Sequence, residues 1–225
     1  MNTDCKNCPF NTKVASVLNE SGFRQLSENH AVVNFQKGTT IVKQSTFSTN
    51  VAFLRTGLVK LHITGPYHEQ IVRLVKAPSY LALPTTFGDK INQYSVTAVS
   101  EVSVCFIDIN IFRNLLKENE QFSYEIILDL CRNELESFRR CANRTQRQTR
   151  GNIAGFILEL AHDIFGSDEF MLPLSQSEIG NLVDATRESV SRVLTEFDKD
   201  GIISLNGKNI CILNKVSLEL ICKNG

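Results

Sequence analysis

The chain has 225 residues, 42% of them apolar and 21% charged, with 24 Lys and Arg against 24 Asp and Glu. That length and near-average composition allow a full hydrophobic core in one or two domains and exclude a disordered, collagen-like or coiled-coil-only chain. Zero net charge conceals an asymmetry: residues 1–150 carry 18 basic and 13 acidic residues, a net of +5, and residues 151–225 carry 6 and 11, a net of −5. Two functional regions meeting near Arg150-Gly151 are expected.

No apolar stretch reaches the roughly 18 residues that a spanning helix needs. Met1 to Phe10 is polar, without the apolar centre of a signal peptide, so a cytoplasmic protein with no membrane contact is expected. The seven cysteines stand at 5, 8, 105, 131, 141, 211 and 222. An odd, scattered set predicts mostly reduced thiols rather than a disulfide framework. Cys5-Lys6-Asn7-Cys8 is a CxxC motif, compatible with zinc and outside ligands, a redox disulfide, or a tail without function.

From Ala31 to Ile109 the sequence is a series of short β runs cut by turn residues. They are Val32–Phe35, Thr40–Val42, Val51–Leu54, Leu58–Ile63, Gln70–Val75, Tyr94–Val99 and Val102–Ile107, punctuated by Gly38, Gly57 and Gly65. Such spacing predicts an antiparallel jelly-roll barrel. His62 and His68-Glu69 flank the Gly65-Pro66 turn and read as surface hairpin residues, since no compact His-x-His and glutamate cluster accompanies them.

Asp108 can cap a helix, and a long helix follows at about 118–147. Tyr124, Leu128, Cys131, Leu135, Phe138, Ala142 and Thr145 recur at alternating steps of four and three, a heptad seam. Phe122, Ile126 and Leu130 form a second apolar face that could seat the helix on the barrel. One helix with two apolar faces needs two partners, so the seam reads as a homodimer interface. Arg139, Arg140, Arg144, Arg147 and Arg150 then crowd twelve residues without an acid, a run that could lie against a polyanion.

Asn152–Ala161 reads as an amphipathic helix. After Pro173, Leu174–Val183 opens with Ser175 as N-cap and Glu178 three residues on, the pattern of a capping box. Asp184-Ala185-Thr186 makes a tight turn, Thr186 caps a helix over Arg187–Lys199, and Gly201 ends it. Two β runs joined by Asn206-Gly207 follow, a hairpin signal. The whole predicts an α+β chain: a barrel over 1–117, a dimerisation helix and hinge over 118–149, and a winged helix-turn-helix over 150–225.

On Arg187–Lys199, Val190, Val193, Leu194 and Phe197 form the stripe to be buried, and Arg187, Glu188, Ser191, Arg192 and Thr195 the opposite face. Arginine can pair with guanine O6 and N7 and glutamate can accept from cytosine N4, so this face suits base reading in double-stranded DNA. Thr186, Ser175 and Lys208 join them as candidate DNA-binding residues, with Lys208 on the wing. The acidity of 151–225 opposes DNA binding in general, because non-specific affinity comes from neutralising phosphates.

Leu174–Leu213, with Arg187-Glu188-Ser189-Val190-Ser191-Arg192, resembles the DNA-binding domain of the CRP/FNR family of bacterial transcription regulators. The resemblance extends over the barrel and the long helix and is weakest between Lys76 and Gln93. It implies that Glu188 and Arg192 read a shared part of a palindromic half-site, and that RNA polymerase is a further partner. Arg187 matches the cyclic-AMP-responsive members and Ser191 the oxygen-responsive ones. Asp184 stands where the family usually has glycine, and Asp tolerates the left-handed conformation. The family's phosphate-gripping Glu and Arg are missing from Ala77–Val96, where Lys90 is the one cation, so the resemblance argues against cyclic AMP and leaves a small-molecule effector open. Cys5 and Cys8 resemble the N-terminal cysteines of the oxygen sensors and Cys105 their central cluster ligand, without a third N-terminal cysteine. An iron–sulfur cluster on Cys5, Cys8 and Cys105 is one alternative, barrel core at Cys105 another, and haem on His30, His62, His68 or His162 a third. Rival readings are a barrel metalloprotein or enzyme with an accessory helical domain, and a ligand-independent DNA-binding dimer. The first lacks a catalytic constellation of acids, histidines or a nucleophile.

Overall fold

The computed structural model describes residues 5, 6, 8, 9 and 13–225, which fall into two compact units. One holds the described residues to Tyr67 with Val72–Leu135, the other His68–Ile71 with Glu136–Gly225.

The first unit opens with short α1 (Lys13–Ser16) and α2 (Glu20–Glu28), the latter capped by Asn19, whose side chain accepts from Gly22 N–H at 2.8 Å. Eight strands follow: β1 (His30–Phe35), β2 (Thr40–Val42), β3 (Asn50–Thr56), β4 (Leu58–Thr64), β5 (Glu69–Lys76), β6 (Ser79–Leu81), β7 (Ser95–Ala98) and β8 (Val102–Asp108). A single turn of helix, α3 (Leu83–Phe87), lies between β6 and β7. Two four-stranded sheets, ordered β1-β8-β3-β6 and β2-β7-β4-β5, make the jelly roll. At Gly57 (φ +91°), between β3 and β4, a Cβ would run into the Glu101 carbonyl oxygen, so glycine is required there.

Period-two alternation gives β3 and β8 two buried faces. Ala52, Leu54, Val102 and Val104 point into the barrel with Val59, Leu61 and Val96, while Val51, Cys105 and Ile107 point outward into a second core. That second core contains Phe23, Leu26, Phe112, Leu115, Phe122 and Ile126, so helices cover the outer face of one sheet. His62 is not a surface residue: it is 8% exposed, with Nε2 2.8 Å from Thr97 Oγ1. Its place near the middle of β4, paired with Ser95 on β7, carries it inside, whereas His68 beyond the strand end is exposed.

Asp108 caps α4 (Ile109–Glu118) through Asn110 N–H at 2.8 Å and Ile111 N–H at 3.2 Å. The chain then breaks helix at Asn119 and resumes as α5 (Glu120–Gln146), 27 residues long. Phe122 and Ile126 are buried in the outer core, with Leu130 packed against it.

In the second unit, α6 (Thr149–Glu159) runs into a π-helical turn, Leu160–Phe165. The expected amphipathic helix is instead enclosed: none of Gly151–Leu160 is exposed, because α7 (Gln176–Val183), α8 (Arg187–Lys199) and α9 (Lys215–Asn224) pack around it. A three-stranded sheet completes the wing, β9 (Glu169–Met171), β10 (Ile203–Asn206) and β11 (Asn209–Ile212), ordered β10-β11-β9. Asn206 pairs with Asn209, so the hairpin loop is Gly207-Lys208, one residue later than its sequence signal.

Candidate nucleic-acid interface

Local chemistry sets the helix-turn-helix. Ser175 N–H donates to Glu178 Oε2 (2.9 Å) and Glu178 N–H to Ser175 Oγ (3.3 Å), the reciprocal capping box that starts α7. Asp184 closes α7 in the left-handed region (φ +59°, ψ +54°), and Ala185 N–H donates to Gly180 C=O at 3.0 Å. A Cβ at Gly180 would run into the Ala185 carbonyl oxygen, so the tight turn depends on that glycine too. Thr186 Oγ1 then accepts from Ser189 N–H at 3.2 Å and caps α8.

Val190, Val193, Leu194 and Phe197 are all buried, at about 1.5–3 kcal/mol each for the larger side chains. This apolar face, rather than any surface ion pair, fixes the helix. Its opposite face lines an open groove with Arg187, Glu188, Ser191, Arg192 and Thr195, joined by Gln176 from the first turn of α7. Arg187, Glu188 and Arg192 are exposed. Of the candidate residues, the structure therefore brings together Arg187, Glu188, Ser191 and Arg192. Ser175 and Thr186 stand at the two helix caps, and Lys208 is exposed at the wing tip, outside the groove. Gln176 was not foreseen, although its place directly after the N-cap Ser175 was readable.

The arginine run does not present a uniform basic surface. Arg140 Nη1 donates to Glu159 Oε2 at 2.8 Å, and Arg139 pairs with Glu136 at 3.4 Å. Burial disfavours the Arg140 cation, but Glu159 outweighs it and holds the guanidinium more firmly protonated than usual. Arg150 binds Glu196 and Asp200, each at 3.0 Å, and lies 5.0 Å from the Phe197 ring centre. Several acids of the negative region are thereby consumed within the fold, and Lys215 takes Asp168 at 3.2 Å. On α5 the seam residues Tyr124, Leu135 and Phe138 are 56%, 57% and 60% exposed in the chain, as are Cys131 and Ala142, with Leu128 half-buried; Ile127 widens the stripe.

Cys5, Cys8 and Cys105 do line one cavity, with His30 and Arg55. A four-iron cluster takes four thiolates, one more than this wall supplies. Among the described residues no three His, Cys, Asp or Glu side chains converge closely enough to hold a metal ion. The residues therefore do not fit a cluster. His30 Nδ1 is 3.0 Å from Leu26 C=O, and His162 is exposed on the π-helical turn.

An eight-stranded jelly roll, a long helix and a capped helix-turn-helix with a wing define a DNA-binding regulator. Residues 32–119 match the cyclic nucleotide-binding domain family and residues 152–221 the Crp-like helix-turn-helix domain family. The chain is 26% identical over 188 residues to the transcriptional activator protein FnrA of Stutzerimonas stutzeri, covering 81% of this chain and 77% of that one. It is 27% identical over 228 residues to electron transport regulator A of Shewanella oneidensis, covering 98% and 90%. FixK2 from Bradyrhizobium japonicum shares the fold with a TM-score of 0.78 at 18% identity, covering 85% of this chain and 96% of that one. The chain belongs to the CRP/FNR family and is a transcription regulator with a helix-turn-helix DNA-binding domain. No helix among the described residues is long and apolar enough to cross a membrane.

Proposed function

We propose that the chain is a cytoplasmic homodimer that reads a palindromic promoter site and contacts RNA polymerase, without enzymatic activity. The observation that carries this reading is the row along α8 of exposed Arg187, Glu188 and Arg192 with half-buried Ser191, backed by a fully buried apolar face. Glu188 gains nothing beside phosphates, so its place on that row favours a base contact over backbone neutralisation. Functionally, the chain divides into a sensor barrel over 1–117, a dimerisation helix over 118–149 and a DNA-reading domain over 150–225. The exposed seam of α5 would join two copies so that their α8 helices enter successive major grooves about 34 Å apart.

The effector is not cyclic AMP. Around α3, Thr85 and Thr86 are buried and donate to Ala82 C=O at 2.9 and 2.8 Å, so their hydroxyls serve the fold. Lys90, the one cation of Ala77–Val96, is exposed. Selection of sites from random duplexes, with sedimentation of the protein alone and bound, tests the reading. Enrichment of an inverted repeat bound by two chains is expected; no enriched sequence, or a single unrepeated half-site bound by one chain, would overturn it.

A further inference from the structure

The thiol cavity belongs to none of the DNA-reading machinery. It has a volume of about 50 Å³ and lies against the outer face of the β1-β8-β3-β6 sheet, walled by Leu26, Val32, Phe53, Tyr80 and Ile107. Cys8 N–H donates to Cys5 C=O at 3.4 Å. Cys5 N–H donates to Ser27 Oγ (3.0 Å), which ties Cys5 to α2. The two sulfurs meet different partners: Cys8 Sγ accepts from Arg55 Nη2 at 3.9 Å, and Cys5 Sγ stands 3.7 Å from His30 Nδ1. Both cysteines are half-buried, whereas Cys105, the third thiol of the wall, is only 8% exposed and packed into the outer core.

We propose that Cys5 and Cys8 form a hydroperoxide-reactive dithiol that closes to a disulfide, Cys8 reacting first. A guanidinium hydrogen bond steadies a sulfur that carries negative charge, and Arg55 offers it to Cys8. The half-buried position admits a small hydroperoxide rather than a bulky protein disulfide. Cys8 sulfur attacks one peroxide oxygen, the O–O bond breaks, Cys8 becomes a sulfenic acid, and the alcohol, or water for hydrogen peroxide, departs with the thiol proton. Cys5 sulfur then attacks Cys8 sulfur; the S–OH bond breaks, the S–S bond forms, and hydroxide leaves as water with the Cys5 proton. The two thiols lose two electrons and the hydroperoxide gains them.

The inference is independent of the DNA-binding reading, and its test is made on the thiols of the full chain. Reduced protein treated with hydrogen peroxide should lose two hydrogens by intact mass. Trypsin cuts after Lys6, so the Cys5 and Cys8 peptides should remain joined only by the new disulfide, distinct from oxidation at exposed Cys131 and Cys141. In Cys5→Ser, dimedone should trap a sulfenic acid on Cys8. In Arg55→Gln, with an unchanged melting temperature, oxidation should slow roughly tenfold. A bridge from Cys5 to Cys105, an unlabelled Cys8 in Cys5→Ser, an unslowed Arg55→Gln, or one equivalent of zinc or iron retained under anaerobic purification would each overturn it.

Discussion

Arg150 Nη1 lies 3.0 Å from Glu196 Oε2, while Arg192 reaches the other oxygen of the same carboxylate only at 3.9 Å. Glu196 is thus held chiefly by the start of α6, and Arg192, 72% exposed in its side chain, stays available on the groove. Arg150→Ala removes two ion pairs and a cation–π contact, all partly solvated. A stability loss of about 1 kcal/mol is expected, read as a lower urea midpoint at unchanged slope. Glu196 then turns to Arg192, and DNA affinity falls with it in electrophoretic titrations.

Glu188 and Arg192 stand one turn apart on the exposed face of α8. Replacing either by Ala should cost about 1–3 kcal/mol of discrimination at one base pair of each half-site. Competition with duplexes substituted position by position measures this. Equal preference before and after both substitutions would remove α8 as the reading helix.

Lys208 predicts a different signature. At the tip of the wing, away from the groove, it would meet phosphate rather than bases in the proposed complex. Lys208→Ala should weaken binding about equally for all sequences and reduce the salt slope by about one. A change in sequence preference would place the wing on base edges.

How far these sites were legible depends on the range of the interactions that build them. Ser175 with Glu178 and the Thr186 cap of α8 are local contacts readable from spacing, and the left-handed Asp184 was readable from the resemblance, which usually has glycine at that turn. Strand β9 was not, because Glu169–Met171 buries only Phe170 and its partner β11 lies some forty residues on. Helix α9 was missed although Asn214 caps it through Ser217 N–H at 3.0 Å, since of its residues only Leu218 is buried. The arginine run looked free in sequence because most of its carboxylate partners, Glu159, Glu196 and Asp200, come from later in the chain, Glu136 being the one that precedes it.

Cys105 pairs with Phe53 on β3, and burial, then neighbouring Cys5, push its thiol from 9.0 up to about 12. A raised value favours the neutral form, so iodoacetamide at pH 9 should spare Cys105 in the folded protein and modify exposed Cys131 and Cys141. The sign for stability follows: as pH rises from about 9 to 12 the unfolded chain ionises this thiol and the folded one does not, so stability falls across that window. Native labelling followed by peptide mapping checks the first outcome, and Cys105→Ala, which should flatten the alkaline loss, checks the second.

The seam of α5 carries the last prediction. Leu135 and Phe138 are exposed in the single chain, so charging them removes no contact that holds the protomer together. In a parallel dimer each would be buried twice by symmetry, at about 1.5–3 kcal/mol per side chain. Phe138→Glu should therefore weaken dimerisation by about 3–6 kcal/mol, roughly a hundredfold to ten-thousandfold, with the melting temperature of the isolated chain hardly altered. Sedimentation of the purified variant should show monomers, and binding to a two-half-site duplex should drop while contact with a single half-site persists. A variant that still sediments as a dimer would show that the two copies meet through another face.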